Sequence, residues 1–281
     1  MLLGEKLHQV RVDFAVTEDV RRFVYLYAIA AQGVHVIDAG VAGAETALAD
    51  SLREAGRSLG EVRSILLTHA HPDHIGGAYR IRDASAATVF ASEADQPWIE
   101  DIDMQFSQRP IPNFYGLVHE SVPVDRVVAE PDVLALEEGV TLRVVGASGH
   151  SAGSVCYLWV EQGVLFTGDA VPVVGDIPIY VSAAASIATL RKLLALDGVT
   201  TYMSAWDDPS DAETGKARIR GALDHLVRID DAVRAVLAET PDEDFETTYA
   251  SVCETLSLTH LIDNPLFRTS VAANIREVRA Q

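Results

Sequence analysis

Short apolar, β-branched runs alternate with amphipathic stretches along the first three quarters of the chain. Residues 23–29 and 33–38 read as two antiparallel strands joined near Gln32-Gly33, and residues 62–68 read as a further strand. Leu48 and Leu52, four positions apart, predict a helix from about residue 44 to residue 55, with Gly56 just past its end. A helix opening at Ile75-Gly76-Gly77-Ala78 and running to about Asp83, then a short strand over 88–91, completes a first half. The second half repeats the rhythm. Strands fall at 141–145, 155–160 and 164–167, the last two joined by Glu161-Gln162-Gly163, and a helix over 183–196 leads to a strand over 199–204. Helices outside and mixed strands inside predict an α/β fold, a four-layer αββα sandwich.

Two stretches depart from this rhythm. Residues 101–126 carry Phe106, Pro110, Pro112, Phe114, Tyr115 and His119 without a clean period. A segment of this length in a compact domain is usually functional or disordered, and its aromatic residues argue against disorder. It reads either as a lid or wall over a site, or as packing on the fold, with His119 a surface residue. Beyond Pro209 the pattern becomes purely helical. Ala222, Leu226, Ile229, Val233, Val236 and Leu237 form one stripe within 211–239. Pro241 ends that helix, a second covers 242–256, and Asn264-Pro265 precedes a third. The expected organisation is therefore a domain over 1–209 and a small helical extension over 210–281. The extension can cover the active site or mediate homodimerisation, and its His225 and His260 read as structural.

Composition narrows the class. The chain has 281 residues, 48% hydrophobic and 22% charged, as in a globular enzyme. Its net charge of −19, from 22 basic against 41 acidic residues, argues against nucleic acid as a partner, because phosphate binding needs clustered Lys and Arg. No apolar run reaches the ~18–20 residues of a membrane span, and the first residues lack the pattern of a signal peptide. Cys156 and Cys253 are too few for a disulfide framework, and Cys156 sits in an apolar strand as a core thiol. The expectation is a cytoplasmic protein acting on a small molecule, without membrane contact.

The candidate chemistry lies in Thr68-His69-Ala70-His71-Pro72-Asp73-His74, joined later by His150 and by Asp169 in Phe166-Thr167-Gly168-Asp169. Imidazole with carboxylate is a ligand set for Zn²⁺, Fe or Mn²⁺. The histidine run follows a strand and precedes a helix, where polar side chains converge at a sheet's edge. His69 and His71, two apart in extended backbone, point the same way, and Pro72 keeps His71 extended. Asp73 and His74 start the helix and face them across a cleft, which suggests two metal positions.

His69-x-His71-x-Asp73-His74, with Gly149-His150-Ser151-Ala152-Gly153-Ser154 and Thr167-Gly168-Asp169-Ala170, resembles the metallo-β-lactamase fold superfamily. Asp38 in Val36-Ile37-Asp38-Ala39-Gly40 matches that superfamily's early structural aspartate, and the resemblance covers roughly residues 9–208. It implies two divalent metal ions, zinc in the first place, with iron or manganese also suited. His69, His71 and His150 would hold the first ion, Asp73 and His74 the second, and Asp169 would bridge them. A water shared by two such cations becomes a hydroxide near neutral pH, and Asp73 would act catalytically by orienting it.

One departure stands out. Family members usually carry a seventh ligand, a histidine after a late strand, whereas this turn reads Ala205-Trp206-Asp207-Asp208-Pro209 with no histidine between His150 and His225. Asp207 or Asp208 can substitute, with Asp207 the choice here, or both are turn residues and the second ion is weakly held. The resemblance then implies a metal-dependent hydrolase acting on an ester, thioester or lactone, closest to the glyoxalase II-like branch. Two alternatives stay open: a mononuclear-iron, persulfide dioxygenase-like oxidoreductase built on His69, His150 and Asp169, and a non-catalytic metal-binding protein.

Overall fold

The computed structural model describes residues 2–3 and 6–281. Two mixed sheets stack face to face, with helices on both outer faces. The first contains β1 (Leu2–Leu3), β2 (Leu7–Ala15), β3 (Arg21–Ala30), β4 (Val34–Ile37), β5 (Val62–Leu66), β6 (Thr88–Ala91) and β7 (Arg126–Val127), in that spatial order. β1 to β4 pair antiparallel and β4 to β7 parallel. The second contains β8 (Val133–Glu137), β9 (Val140–Gly146), β10 (Val155–Trp159), β11 (Val164–Gly168), β12 (Thr201–Ser204) and β13 (Ser210–Asp211), in the spatial order β13-β12-β11-β10-β9-β8. Only β11 and β12 run parallel there.

Strand periodicity divides the interior into three cores. Val24, Leu26 and Ala28 of β3 join the helices α1 (Ala44–Glu54), α2 (Pro72–Ile75) and α3 (Ala78–Ser85) in one core. The alternate residues Tyr25, Tyr27 and Ile29 join Tyr157, Trp159 and Phe166 between the sheets. On the far side, Cys156, Leu158 and Leu165 pack against α7 (Ala183–Ala195), α8 (Ala212–Glu239), α9 (Phe245–Thr255) and α10 (Pro265–Arg279). The buried stripe of α8 includes Ala222, Leu226, Ile229, Val233, Val236 and Leu237, so the extension supplies the fourth layer's cover. Among the described residues no helix is long and apolar enough to cross a membrane.

The sequence reading missed β2, which pairs with β3 over nine residues. Its signal is present: Val10, Val12 and Phe14 are buried while Arg11 and Asp13 are exposed, a period of two. The 101–126 segment is not the irregular stretch expected. It forms α5 (Ile102–Gln108) and α6 (Phe114–Leu117) after α4 (Gln96–Glu100), then enters β7. Both helices are too short for a 3.6-residue period to show against the background of the sequence.

The two sheets are tied at one edge, and that edge carries the candidate chemistry. The Tyr157 hydroxyl donates to Leu67 O at 3.0 Å, and Val155 N–H donates to Thr68 O at 2.9 Å. The loop after β5 is thereby locked beside the loop that precedes β10.

Candidate metal centre

Three loops deliver the candidate ligands: the turn after β5, the β9–β10 connection and the end of β11. Pro72 at the first position of α2 stiffens the first turn, with His71 held extended before it at φ −66° and ψ 148°. Gly168 has φ +49°, and a Cβ there would stand 2.4 Å from Thr68 Oγ1, so only glycine lets β11 bring Asp169 this close to the histidine loop.

Six of the seven expected residues meet. His69 Nε2 and His150 Nε2 lie 3.0 and 2.8 Å from His71 Nδ1, and Asp169 Oδ2 lies 3.4 Å from His150 Nε2. On the other side, His74 Nε2 lies 3.2 Å from Asp169 Oδ1 and 3.6 Å from Asp73 Oδ2. Ligand atoms of His69, His71, His150 and Asp169 fall within 4.8 Å of one another, and so do those of Asp73, His74 and Asp169. The carboxylate of Asp169 thus offers one oxygen to each group.

The surrounding hydrogen bonds fix which nitrogen of each ring faces inward. Asp38, at φ +59°, turns its carboxylate back over the strand end, accepting from Thr68 N–H at 2.7 Å, Thr68 Oγ1 at 2.9 Å and His74 Nδ1 at 2.9 Å. Thr68 Oγ1 in turn accepts from His69 Nδ1 at 3.0 Å. His150 Nδ1 donates to Ile179 O at 2.8 Å. His69, His74 and His150 therefore all direct Nε2 into the centre.

A divalent cation fits this donor set. Three inward-facing imidazole nitrogens lie within 3.0 Å of their neighbours, and His74 Nε2 is buried without a hydrogen-bond partner. Such an arrangement of lone pairs is satisfied by a metal. The protonation balance agrees. Burial, reinforced by neighbouring positive groups, holds His69 and His71 well below the ordinary imidazole range. Burial also lowers His150 to about 4, although Asp169 opposes it. Burial acts on His74 in the same direction, but Asp169, Asp38 and Asp73 outweigh it and raise that group. Asp169 resists burial through His74 and His150 and falls to about 2, so its carboxylate is ionised. His69, His71 and His150 as neutral imidazoles and Asp169 as an ionised carboxylate are in the forms that bind metal, whereas His74 would give up its proton to an arriving cation.

Asp207 is not brought into this cluster. Its carboxylate stands 3.1 Å from Arg218 Nε of α8 and accepts Asp208 N–H at 2.9 Å. It borders a separate cavity of about 370 Å³ with Tyr202, Thr214 and Arg218. The expectation of an Asp207 ligand is corrected by that ion pair, which the sequence alone does not reveal. Asp208 accepts instead from the Tyr25 hydroxyl at 2.8 Å. The residue of this turn that reaches the site is Trp206, whose Nε1–H donates to Asp169 Oδ1 at 2.8 Å.

Sequence reasoning also missed Asp95. Its buried carboxylate accepts from Ala70 N–H at 3.0 Å, Ser151 Oγ at 2.8 Å and Gly153 N–H at 3.0 Å, joining the two histidine loops. Burial raises its pKa despite those bonds. No local motif marks a lone aspartate two loops away. Asp95→Ala is expected to weaken metal binding ~10–100-fold, the range for loss of an outer hydrogen-bonding partner. Competitive chelator titration checks this, and an unchanged affinity in a folded variant would reduce Asp95 to a loop staple.

The lid reading is corrected in part. Phe114 is 2% exposed and belongs to the first core, while Tyr115 is exposed and bonds Asp103 at 2.8 Å. Within this segment Gln105, in the middle of α5, reaches the ligand loop, its Nε2 donating to Ala70 O at 2.6 Å. His119 and His260 are exposed and His225 is half-buried, all outside the cluster. Cys156 is fully buried, and burial pushes its thiol up to about 12, so it is inert.

The fold and this centre place the protein among known metalloproteins. The family model described as "Metallo-beta-lactamase superfamily" matches residues 18–205, and the chain belongs to that superfamily. It is 30% identical over 173 residues to a hydroxyacylglutathione hydrolase of Cereibacter sphaeroides, covering 58% of each chain. A protein of the same name from Rhodospirillum rubrum is 28% identical over 196 residues, 69% of this chain and 63% of that one. The match therefore spans less than two thirds of these relatives. A probable metallo-hydrolase of Bacillus subtilis, YybB, is 28% identical over 163 residues, 58% of this chain and 68% of that one. Among solved structures, a metallo-beta-lactamase family protein of Thermus thermophilus shares the fold, with a TM-score of 0.75 at 22% identity over 99% of this chain and 95% of that one.

Proposed function

We propose that this protein is a metal-dependent hydrolase that cleaves an ester, thioester or lactone carbonyl, with zinc at two adjacent positions. The observation that carries the reading is the pair of donor groups that share the two oxygens of Asp169. His69, His71 and His150 would hold the first ion, and Asp73 and His74 the second. With Asp207 turned away, the second position rests on three protein ligands and is the weaker. Divalent ions held there supply a Lewis acid for the carbonyl and an acidified water for the attack. The chain's own part is to orient: Asp38 and Ile179 fix the ring tautomers, Trp206 holds Asp169 between the two donor groups, and Asp73 would aim the attacking water by hydrogen bonding. Among the three substrate classes the relatives named hydroxyacylglutathione hydrolases favour the thioester.

Metal analysis by plasma emission together with thioester, ester and lactone turnover tests this reading. Two zinc ions per chain at saturation and release of free thiol from the thioester are expected. One iron per chain with oxygen uptake and no hydrolysis would replace it with the oxidative alternative.

A further inference from the structure

The cavity beside Asp207 lies apart from the metal centre: neither Trp206 nor any of the six converging ligands lines it. It opens between the segment that follows Asp169 and the first half of α8. Val171, Val173 and Val174 line it from the first side and Ile219 from the second, so the interior is largely apolar. Glycines on α8 leave the space. A Cβ on Gly215 would stand 2.1 Å from the Tyr202 ring, and one on Gly221 would press on Val174 at 3.3 Å. The volume of about 370 Å³ falls within the ~300–1,000 Å³ of pockets that hold small molecules. The two charged residues of the lining, Asp207 and Arg218, pair with each other at 3.1 Å, so the cavity presents no unpaired charge. Tyr202 also lines it. This residue is only 5% exposed, and its hydroxyl is buried without a hydrogen-bond partner. Burial raises its pKa, so the hydroxyl keeps its proton and stays a donor.

We infer that this cavity is a second ligand site, for a small, uncharged, mostly apolar molecule carrying one hydrogen-bond acceptor, such as an aryl ketone. The apolar body takes the valine-lined wall out of water, and the acceptor gives the Tyr202 hydroxyl the partner it lacks. A charged ligand is disfavoured by the same lining, because it would have to break the Asp207–Arg218 pair or enter uncompensated. The site adjoins the support of the metal centre through the chain. Thr167 and Val171 lie two positions either side of Asp169, while Ser204 and Asp207 bracket Ala205 and Trp206. Ala205 N–H donates to Gly168 O at 3.3 Å, which joins the two segments. A molecule held here touches the chain that presents Asp169 and Trp206 without meeting the metal ligands. That is the position of an effector rather than of the group undergoing reaction.

The test is a fluorine NMR titration of the full-length, zinc-loaded protein with 4-fluoroacetophenone, beside 1-ethyl-4-fluorobenzene, which lacks the acceptor. One saturable site per chain is expected for the ketone. Tyr202→Phe should weaken the ketone ~2–10-fold, the range for one neutral hydrogen bond, and leave the hydrocarbon unchanged. Ala217→Phe sets a ring at the cavity from an exposed position of α8 and should abolish binding of both probes. Ala235→Phe, at an exposed position farther along the same helix, should bind both as wild type does. Zinc content and circular dichroism, measured on each variant, show that the centre and the fold are kept. The absence of saturable ketone binding in wild type would overturn the inference. So would ketone binding undiminished in Ala217→Phe, which places the probe elsewhere on the protein. Equal weakening of ketone and hydrocarbon in Tyr202→Phe would overturn the part given to the hydroxyl.

Discussion

Asp169→Ala is expected to strip metal from both positions and to abolish hydrolysis. This single side chain offers Oδ2 to the group of His69, His71 and His150, and Oδ1 to His74. Its loss leaves the first position with three imidazoles and the second with Asp73 and His74 alone. Removing an outer partner of a ligand already costs ~10–100-fold in affinity, and removing a shared ligand should exceed that at each position. It also orphans the Trp206 indole N–H. Metal content by plasma emission checks the expectation, and circular dichroism checks the fold. Two ions retained per chain in a folded Asp169→Ala protein would refute the bridging assignment.

Truncation before residue 210 is expected to destroy the fold rather than yield a catalytic fragment. The stripe on α8 and the inner faces of α9 and α10 cover Cys156, Leu158, Leu165, Leu190, Leu193 and Tyr202. Each large apolar side chain returned to water costs ~1.5–3 kcal/mol, so five or six together match the ~5–15 kcal/mol net stability of a typical domain. The loss also reaches the metal centre. Ser270 Oγ of α10 accepts from Tyr180 N–H at 3.1 Å, and Glu277 accepts from Ala183 N–H at 3.0 Å. Together they hold the segment whose Ile179 carbonyl orients His150. The measurement is thermal unfolding of residues 1–209 beside the full chain. A cooperative transition and retained metal in the shorter chain would refute this account.

The candidate ligands were legible in the sequence because coordination chemistry restricts residue type and local geometry restricts spacing. Four imidazoles and two carboxylates at strand ends have few other uses, and a proline after His71 fixes the backbone on which the set is displayed. The αββα layering was legible for a related reason: strands buried on both faces read as continuous apolar runs, and the amphipathic helices between them show their period. The short helices of 101–126 left no such trace.

What the sequence by itself determined is therefore the layered fold, the helical C-terminal quarter and six of the residues that converge on one edge. Only the tertiary structure decided which groups support and surround them. Asp95 is separated from Gly153 by 58 positions in the chain yet accepts its N–H. Trp206 rather than Asp207 enters the site, because Arg218 of the following helix claims the Asp207 carboxylate. Gln105 of α5 is pinned to the Ala70 carbonyl across 35 positions of the chain. The physical reason is common to all three. A ligand is recognisable from its own chemistry and its neighbours in the chain, whereas a supporting hydrogen bond or a charge contact depends on distances between segments, which are fixed only when the sheets close on one another and their cores are packed.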